Sequence, residues 1–215
     1  MSIGIVTLHT SEIECYSKYT LPIFQKYCLA HNYTLIIGER CSDRAPTWDK
    51  ILLLKKYHKL FDYLFWLDAD MVINKLEHKL EDIIEQLEKP IGVCENGTKY
   101  REFNCGSIVV KNDKKVEKFL NIWWGLGQNW GLENRIAHEQ QVLNRIAFVN
   151  KTQKQRWNLD MNVANMYGEL LQKLPCNLMN NAHKIYPEKN FVHHMLCEHM
   201  TDKIRIAKQK YDEIV

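Results

Sequence analysis

Residues 64–70 read LFWLDAD, and no other heptad in the chain limits its fold so tightly. Four apolar residues in a row suit a strand buried on both faces, as in a parallel sheet covered by helices. Two carboxylates follow at the end of that run, where open α/β sheets bind their ligands. Side chains alternate along a strand, so Asp68 and Asp70 fall on one side if the chain stays extended. Two acids placed together repel unless a cation or a donor stands between them. A hard divalent ion, Mg²⁺ or Mn²⁺, is the simplest such partner. The plain alternative is an acid pair that caps neighbouring backbone groups at a strand end.

The surroundings of the heptad alternate in kind. SIGIVTL (2–8) and YTLIIG (33–38) read as strands, and between them Tyr16–Asn32 carries helical spacing that Pro22 interrupts. Residues 48–61 place Leu53, Leu54, Tyr57, Leu60 and Phe61 on one helical face. A strand over 62–73 follows, then a helix marked by Leu76, Leu80, Ile83, Ile84 and Leu87. IGVC (91–94) and GSIVVKN (106–112) read as strands, and Val116, Phe119, Leu120 and Trp123 form a further stripe. This order predicts an α/β fold with a mainly parallel central sheet flanked by helices. With 215 residues, five scattered prolines and no linker or repeat, the expectation is a single domain over 1–215. The charged helical stretch KIRIAKQKYDEIV at 203–215 leaves room for one domain of a longer polypeptide.

Charge and cysteine usage exclude several classes. Lys and Arg number 29 against 26 Asp and Glu, a net charge of +3 spread along the chain, so no nucleic-acid footprint is present. The N-terminus has neither a basic region nor a long apolar stretch, and no segment is apolar enough for a membrane span. Seven cysteines, with no C-x-x-C pair, read as reduced and mostly buried thiols of a cytoplasmic protein. The Asn-x-Thr triplets at Asn32, Asn96 and Asn150 lack a secretion signal that would give them meaning.

Asp68-Ala69-Asp70-Met71-Val72 also satisfies the D-x-D-x-[TV] pattern of Mg²⁺-dependent phosphatases. Those enzymes carry it on their first strand and complete the site with a later acidic pair. Here it lies on the third expected strand, and no G-D-x-x-x-D or D-D follows.

Other short patterns recur in order around the heptad. They are Tyr27-Cys28-Leu29-Ala30-His31-Asn32-Tyr33, Trp48-Asp49-Lys50-Ile51, Asp62–Ile73, Asn104-Cys105-Gly106, Glu139-Gln140, and His193 with Cys197. This set resembles the GT-A glycosyltransferases of the galactosyl/mannosyl/xylosyltransferase family of yeast and plants. In its short form, without an anchor, the chain is similar to glycosyltransferases of large DNA viruses that decorate a capsid protein, as in chlorella viruses. The late pattern departs from the family's H-F-A-G-C, because His193-His194-Met195-Leu196-Cys197 lacks the glycine.

The resemblance implies a GT-A (Rossmann-like) fold and transfer from a nucleotide-sugar donor, UDP-linked first and GDP-linked next, to a glycan or glycoprotein acceptor with retention. It implies Mn²⁺ or Mg²⁺ held by Asp68, Asp70 and either His193 or His194, since neighbours on a strand face opposite ways. Thr7 and Leu8 would meet the base and ribose, and Lys50, with Arg44, the donor phosphates. Gly106 would allow close backbone approach to a sugar, or simply form a β-bulge. Glu139, Gln140 and Asn104 are the implied catalytic residues, although Glu139 also suits a helix N-terminus. Trp124 and Trp130 offer faces for an acceptor sugar, whereas Trp123 fits the core stripe. His138-Glu139 does not begin a zinc-protease motif, because residue 142 is valine. A catalytically silent sugar-nucleotide or glycan-binding module is the alternative from another class.

Overall fold

The computed structural model describes residues 1–95, 103–129, 131–132, 134, 138–148, 169–179, 191–195 and 199–215. Its strands are β1 (Ile3–Leu8), β2 (Thr34–Gly38), β3 (Tyr63–Leu67), β4 (Met71–Ile73), β5 (Ile91–Glu95), β6 (Phe103–Lys111), β7 (Leu171–Leu174) and β8 (Val192–His194). The α-helices are α1 (Glu14–His31), α2 (Asp49–Tyr57), α3 (Glu81–Ile84), α4 (Lys114–Asn129), α5 (His138–Phe148), α6 (Cys176–Met179) and α7 (Met200–Ile214). Six strands form one sheet in the order β2-β1-β3-β6-β5-β7, and β4 pairs with β8 in a separate ribbon. Strand β6 runs against β3 and β5; the remaining pairs of the large sheet are parallel. The mainly parallel α/β sheet expected from the sequence is therefore present.

Alternation along the central strands divides the core between the two faces of this sheet. Ile5 and Phe65 pack on one side with Phe24, Tyr27 and Met71. Val6 and Trp66 pack on the other with Trp48, Leu54, Phe119 and Trp123. Both faces of β3 are thus covered, as its unbroken apolar run requires. No helix among the described residues is long and apolar enough to cross a membrane.

Three local expectations are corrected. Helix α1 runs through Pro22 without a break. The missing Pro22 N–H costs one helical hydrogen bond, and burial of Tyr16, Ile23, Phe24 and Tyr27 on one face outweighs that loss. The single strand expected over 62–73 is two strands in two sheets. Asp68-Ala69-Asp70 turns the chain between them, closed by Met71 N donating to Asp68 O at 3.0 Å.

The helix expected from Leu76 to Leu87 shrinks to α3, because α1 and the residues after it hold the backbone of 76–80 in another path. Tyr27 Oη donates to His78 O at 2.7 Å, and His31 Nε2 lies 2.6 Å from Leu76 O. Leu80 N donates to Tyr33 Oη at 3.1 Å, and that hydroxyl donates to the Glu81 carboxylate. The tyrosine- and histidine-rich motif at 27–33 is thus a fastening for the segment that follows β4. Phe191, just before β8, joins it by stacking on His78 with ring centroids 5.5 Å apart.

Candidate active site

The two acids sit where β3 ends, and the chain around them is fixed from three sides. Asp68 N donates to Gly106 O at 2.8 Å, Thr20 Oγ1 on α1 donates to Ala69 O at 2.7 Å, and Met195 N donates to Asp70 O at 3.1 Å. The buried Thr20 hydroxyl therefore satisfies the carbonyl between the two carboxylates.

Strand β8 lies antiparallel to β4, with His194 opposite Met71 and His193 opposite Val72. This register brings His194 to the acid pair. His194 Nε2 is 3.3 Å from Asp70 Oδ1, whereas His193 belongs to the other face of the ribbon. One ligand atom each from Asp68, Asp70 and His194 lie within 4.8 Å of one another. Two carboxylate oxygens and one imidazole nitrogen are a donor set that fits Mn²⁺ or Mg²⁺.

Gly106 makes room for this histidine. A Cβ on Gly106 would stand 2.5 Å from His194 Cε1 and 2.8 Å from Met71 Cε. The glycine's amide donates to Asn104 Oδ1 at 2.8 Å, so it is engaged within the strand rather than turned to a ligand. Four residues of β6, 104–107, stand against the single Cys94 of β5, and Cys105 N donates to Gln140 Oε1 at 2.9 Å. Asn104 and Gln140 thus hold the bulge that carries Gly106. Gly106→Ala should force the buried His194 ring aside, at roughly 1–3 kcal/mol of overpacking. We expect Mn²⁺ affinity to fall at least about tenfold, measured by titration calorimetry; an unchanged affinity would separate His194 from the metal.

Lys50 is buried at the start of α2 and was expected to meet donor phosphates. Its ammonium has three acceptors within the chain: Asp68 Oδ1 at 3.2 Å, Glu139 Oε1 at 3.1 Å and Cys105 O at 3.0 Å. All three of its N–H groups are thereby used. Trp66, two residues before Asp68 on the same side of the strand, also donates Nε1–H to Asp68 Oδ1 at 2.6 Å. Glu139 is buried at the start of α5, where its own backbone oxygen accepts Trp123 Nε1–H at 2.8 Å.

These contacts set the charges. Burial opposes the Lys50 ammonium, but Asp68 and Glu139 outweigh it and hold its pKa above the ordinary lysine range. Burial raises the Asp68 carboxyl, with Asp70 adding to the effect and Lys50 only partly offsetting it. Burial acts on Asp70 too, yet His194 and Lys203 overcome it and keep this carboxyl below the usual aspartate range. Lys203, on α7, donates to Asp70 Oδ2 at 2.6 Å.

The remaining expected residues are placed as follows. Thr7 and Leu8 lie at the end of β1, paired with Ile37 and Gly38, and both side chains are buried. Arg44 does not reach the acid pair; its guanidinium lies 3.6 Å over the Trp124 ring, so one face of that indole is already covered. Trp123 is core. Trp130 and Cys197 lie outside the described residues. Burial raises the Cys94 thiol to about 12 and Cys105 well above its usual value, so neither is a thiolate nucleophile at neutral pH. Lys203, Thr20 and Trp66 were not anticipated. Only Trp66 had a signal in the sequence, its two-residue spacing from Asp68 on one strand.

No model of a known protein family matches the chain, and no curated protein matches it in sequence. Solved structures do match. A glycosyltransferase involved in glycosylation of the major capsid of PBCV-1 superposes with a TM-score of 0.72 at 15% identity, over 97% of this chain and 100% of that one. The fold is GT-A. The galactosyltransferase LgtC, solved with donor and acceptor sugar analogs, matches at a TM-score of 0.54 and 10% identity, over 99% of this chain and 96% of that one. GlyE of Streptococcus pneumoniae TIGR4 matches at 0.57 and 12% identity, over 99% of this chain and 63% of its own length. In this GT-A chain the Asp68, Asp70 and His194 group stands at the C-terminal end of β3, against the edge of the ribbon.

Proposed function

We propose that the chain is a metal-dependent glycosyltransferase that moves a sugar from a nucleotide-sugar donor, UDP-linked first and GDP-linked next, to a glycan or glycoprotein acceptor. One observation carries the reading: an Asp-Ala-Asp turn and a histidine converge at the ligand-binding end of a GT-A sheet. Asp70 and His194 would hold Mn²⁺ or Mg²⁺, with Asp68 beside them. Bound there, the ion supplies positive charge to the diphosphate as the sugar departs.

The chain's own residues frame that event. Lys50 holds Asp68 and Glu139 on one ammonium, at 3.2 and 3.1 Å, and so fixes their separation. Glu139 then provides a buried negative charge beside the acid turn, of the sign that stabilises an oxocarbenium-like sugar. Lys50 already engages Oε1 of that carboxylate. This supports a front-face, retaining transfer over an inverting one that needs a base on the acceptor hydroxyl. Asn104 and Gln140 keep the β6 bulge in place below the ligand histidine. The capsid glycosyltransferase with the same fold favours a glycoprotein acceptor, a viral capsid protein among the candidates, and the reading includes a single catalytic domain acting in the cytoplasm.

Thermal denaturation with UDP-, GDP- and dTDP-sugars, each with and without Mn²⁺, tests the proposal. A donor at about a hundred times its Kd adds roughly 2.7 kcal/mol, which raises Tm by roughly 5–10 °C for a chain of this size. Stabilisation by a nucleotide-sugar only when Mn²⁺ is present, together with slow donor hydrolysis, is the expected result. Stabilisation without hydrolysis or transfer would instead identify a silent binding module. No metal-dependent stabilisation by any donor overturns the proposal.

A further inference from the structure

Lys203 occupies an unusual place for a lysine. It lies in the first turn of α7, with its backbone N–H donating to His199 O at 2.9 Å. A cation near a helix N-terminus faces the positive end of the helix dipole, and the opposing carboxylate offsets that cost. The partner is Asp70, 133 residues away, at 2.6 Å, and both side chains are largely buried, at 15% and 13% exposure. The helix is held against α1 at both ends. Cys15 Sγ lies 3.3 Å from Met200 Sδ, Tyr19 and Tyr211 meet with ring centroids 5.8 Å apart, and Lys26 donates to Ile214 O.

The acid pair is therefore matched by two lysines: Lys50 on Asp68 and Lys203 on Asp70. A divalent ion arriving at Asp68, Asp70 and His194 meets a carboxylate already neutralised, with an ammonium bonded to one of its oxygens. Lys203 is on Asp70 Oδ2 and His194 faces Oδ1, so an ion beside His194 and the Lys203 ammonium would face each other across one largely buried carboxylate and repel strongly.

We propose that Lys203 is an internal competitor of the metal ion, holding Asp70 in the donor-free protein and giving it up when the ion binds. The inference rests on the metal reading of Asp68, Asp70 and His194. It has a consequence for binding order. The metal alone binds weakly, because it must displace Lys203 and leave that ammonium without its anion. Metal and a diphosphate bind together far better, because the diphosphate brings negative charge at the moment the ammonium loses its own. Lys203 thereby converts two separate binding events into a coupled one.

Titration of Mn²⁺ alone, followed by loss of the free-ion electron paramagnetic resonance signal, tests this on the full chain. Lys203→Met should bind Mn²⁺ at least about tenfold more tightly than wild type, and Lys203→Arg, which keeps the charge, should match wild type. Lys203→Gln gives the same measurement should the methionine variant fail to fold. A second measurement adds UDP: the gain in Mn²⁺ affinity on adding the nucleotide should be large in wild type and smaller in Lys203→Met. Equal or weaker binding of Mn²⁺ alone by the uncharged variants overturns the proposal while leaving the metal site intact. Failure of every form to bind Mn²⁺, with or without UDP, overturns the metal reading itself and this proposal with it.

Discussion

Asp70→Asn is expected to abolish Mn²⁺-dependent stabilisation by the donor and to lower sugar transfer by about two to three orders of magnitude. The substitution keeps the shape of the side chain, removes its charge and turns one acceptor oxygen into an amide donor. Asp70 is the member of the pair most committed to being a carboxylate, since His194 and Lys203 hold it below the ordinary aspartate range. Asparagine offers one neutral oxygen in place of a shared negative charge, a poor ligand for a hard divalent ion. Initial rates with saturating donor, alongside thermal shift with and without Mn²⁺, give the two readouts. Survival of the metal-dependent shift in Asp70→Asn would mean that the ion is held elsewhere.

Lys50→Met is expected to destabilise the fold. Lys50 and Glu139 are both buried, at 2% and 3% side-chain exposure, and Asp68 shares the same ammonium. Removing the cation leaves a buried carboxylate without its counter-charge, which costs roughly 3–5 kcal/mol. For a chain of this length that corresponds to a fall in Tm on the order of 10 °C. The double variant Lys50→Met/Glu139→Gln should recover part of the loss, because it removes both members of the pair. A thermal melt of the two single variants and the double variant measures the coupling. A Lys50→Met protein that melts with wild type would show that the ammonium does not neutralise these acids in solution.

The large sheet was legible because its strands are written in a local code. β1, β2, β3, β5 and the apolar part of β6 are short β-branched or aromatic runs, and each lies where such a run falls. The acid pair was legible for the same reason, as charge placed at the end of an apolar strand. What the local pattern could not supply is the turn itself: Asp68 to Asp70 look like one more stretch of strand until β8 pairs with β4. The shortened α3 has a similar origin, since its apolar spacing is sound but Tyr27, His31 and Tyr33 claim its backbone from across the fold. Lys50 was expected to meet donor phosphates, and the acceptors around it, Asp68, Glu139 and Cys105 O, come from three separate elements and leave no local mark in the sequence. Lys203 was invisible as a site residue for the simplest reason: in a charged helix one lysine looks like another.

The ribbon of β4 and β8 also fixes when the site can come into being during synthesis. Asp68 and Asp70 are made well before His194 and Lys203, with 133 residues between Asp70 and the lysine. Loops that long close late, since their entropy is lost before any contact rewards it. A growing chain therefore carries its acid turn and Lys50 without His194 beside them until β8 is made. The cluster of Asp68, Asp70 and His194, and any metal site built on it, assembles only after β8 has been made.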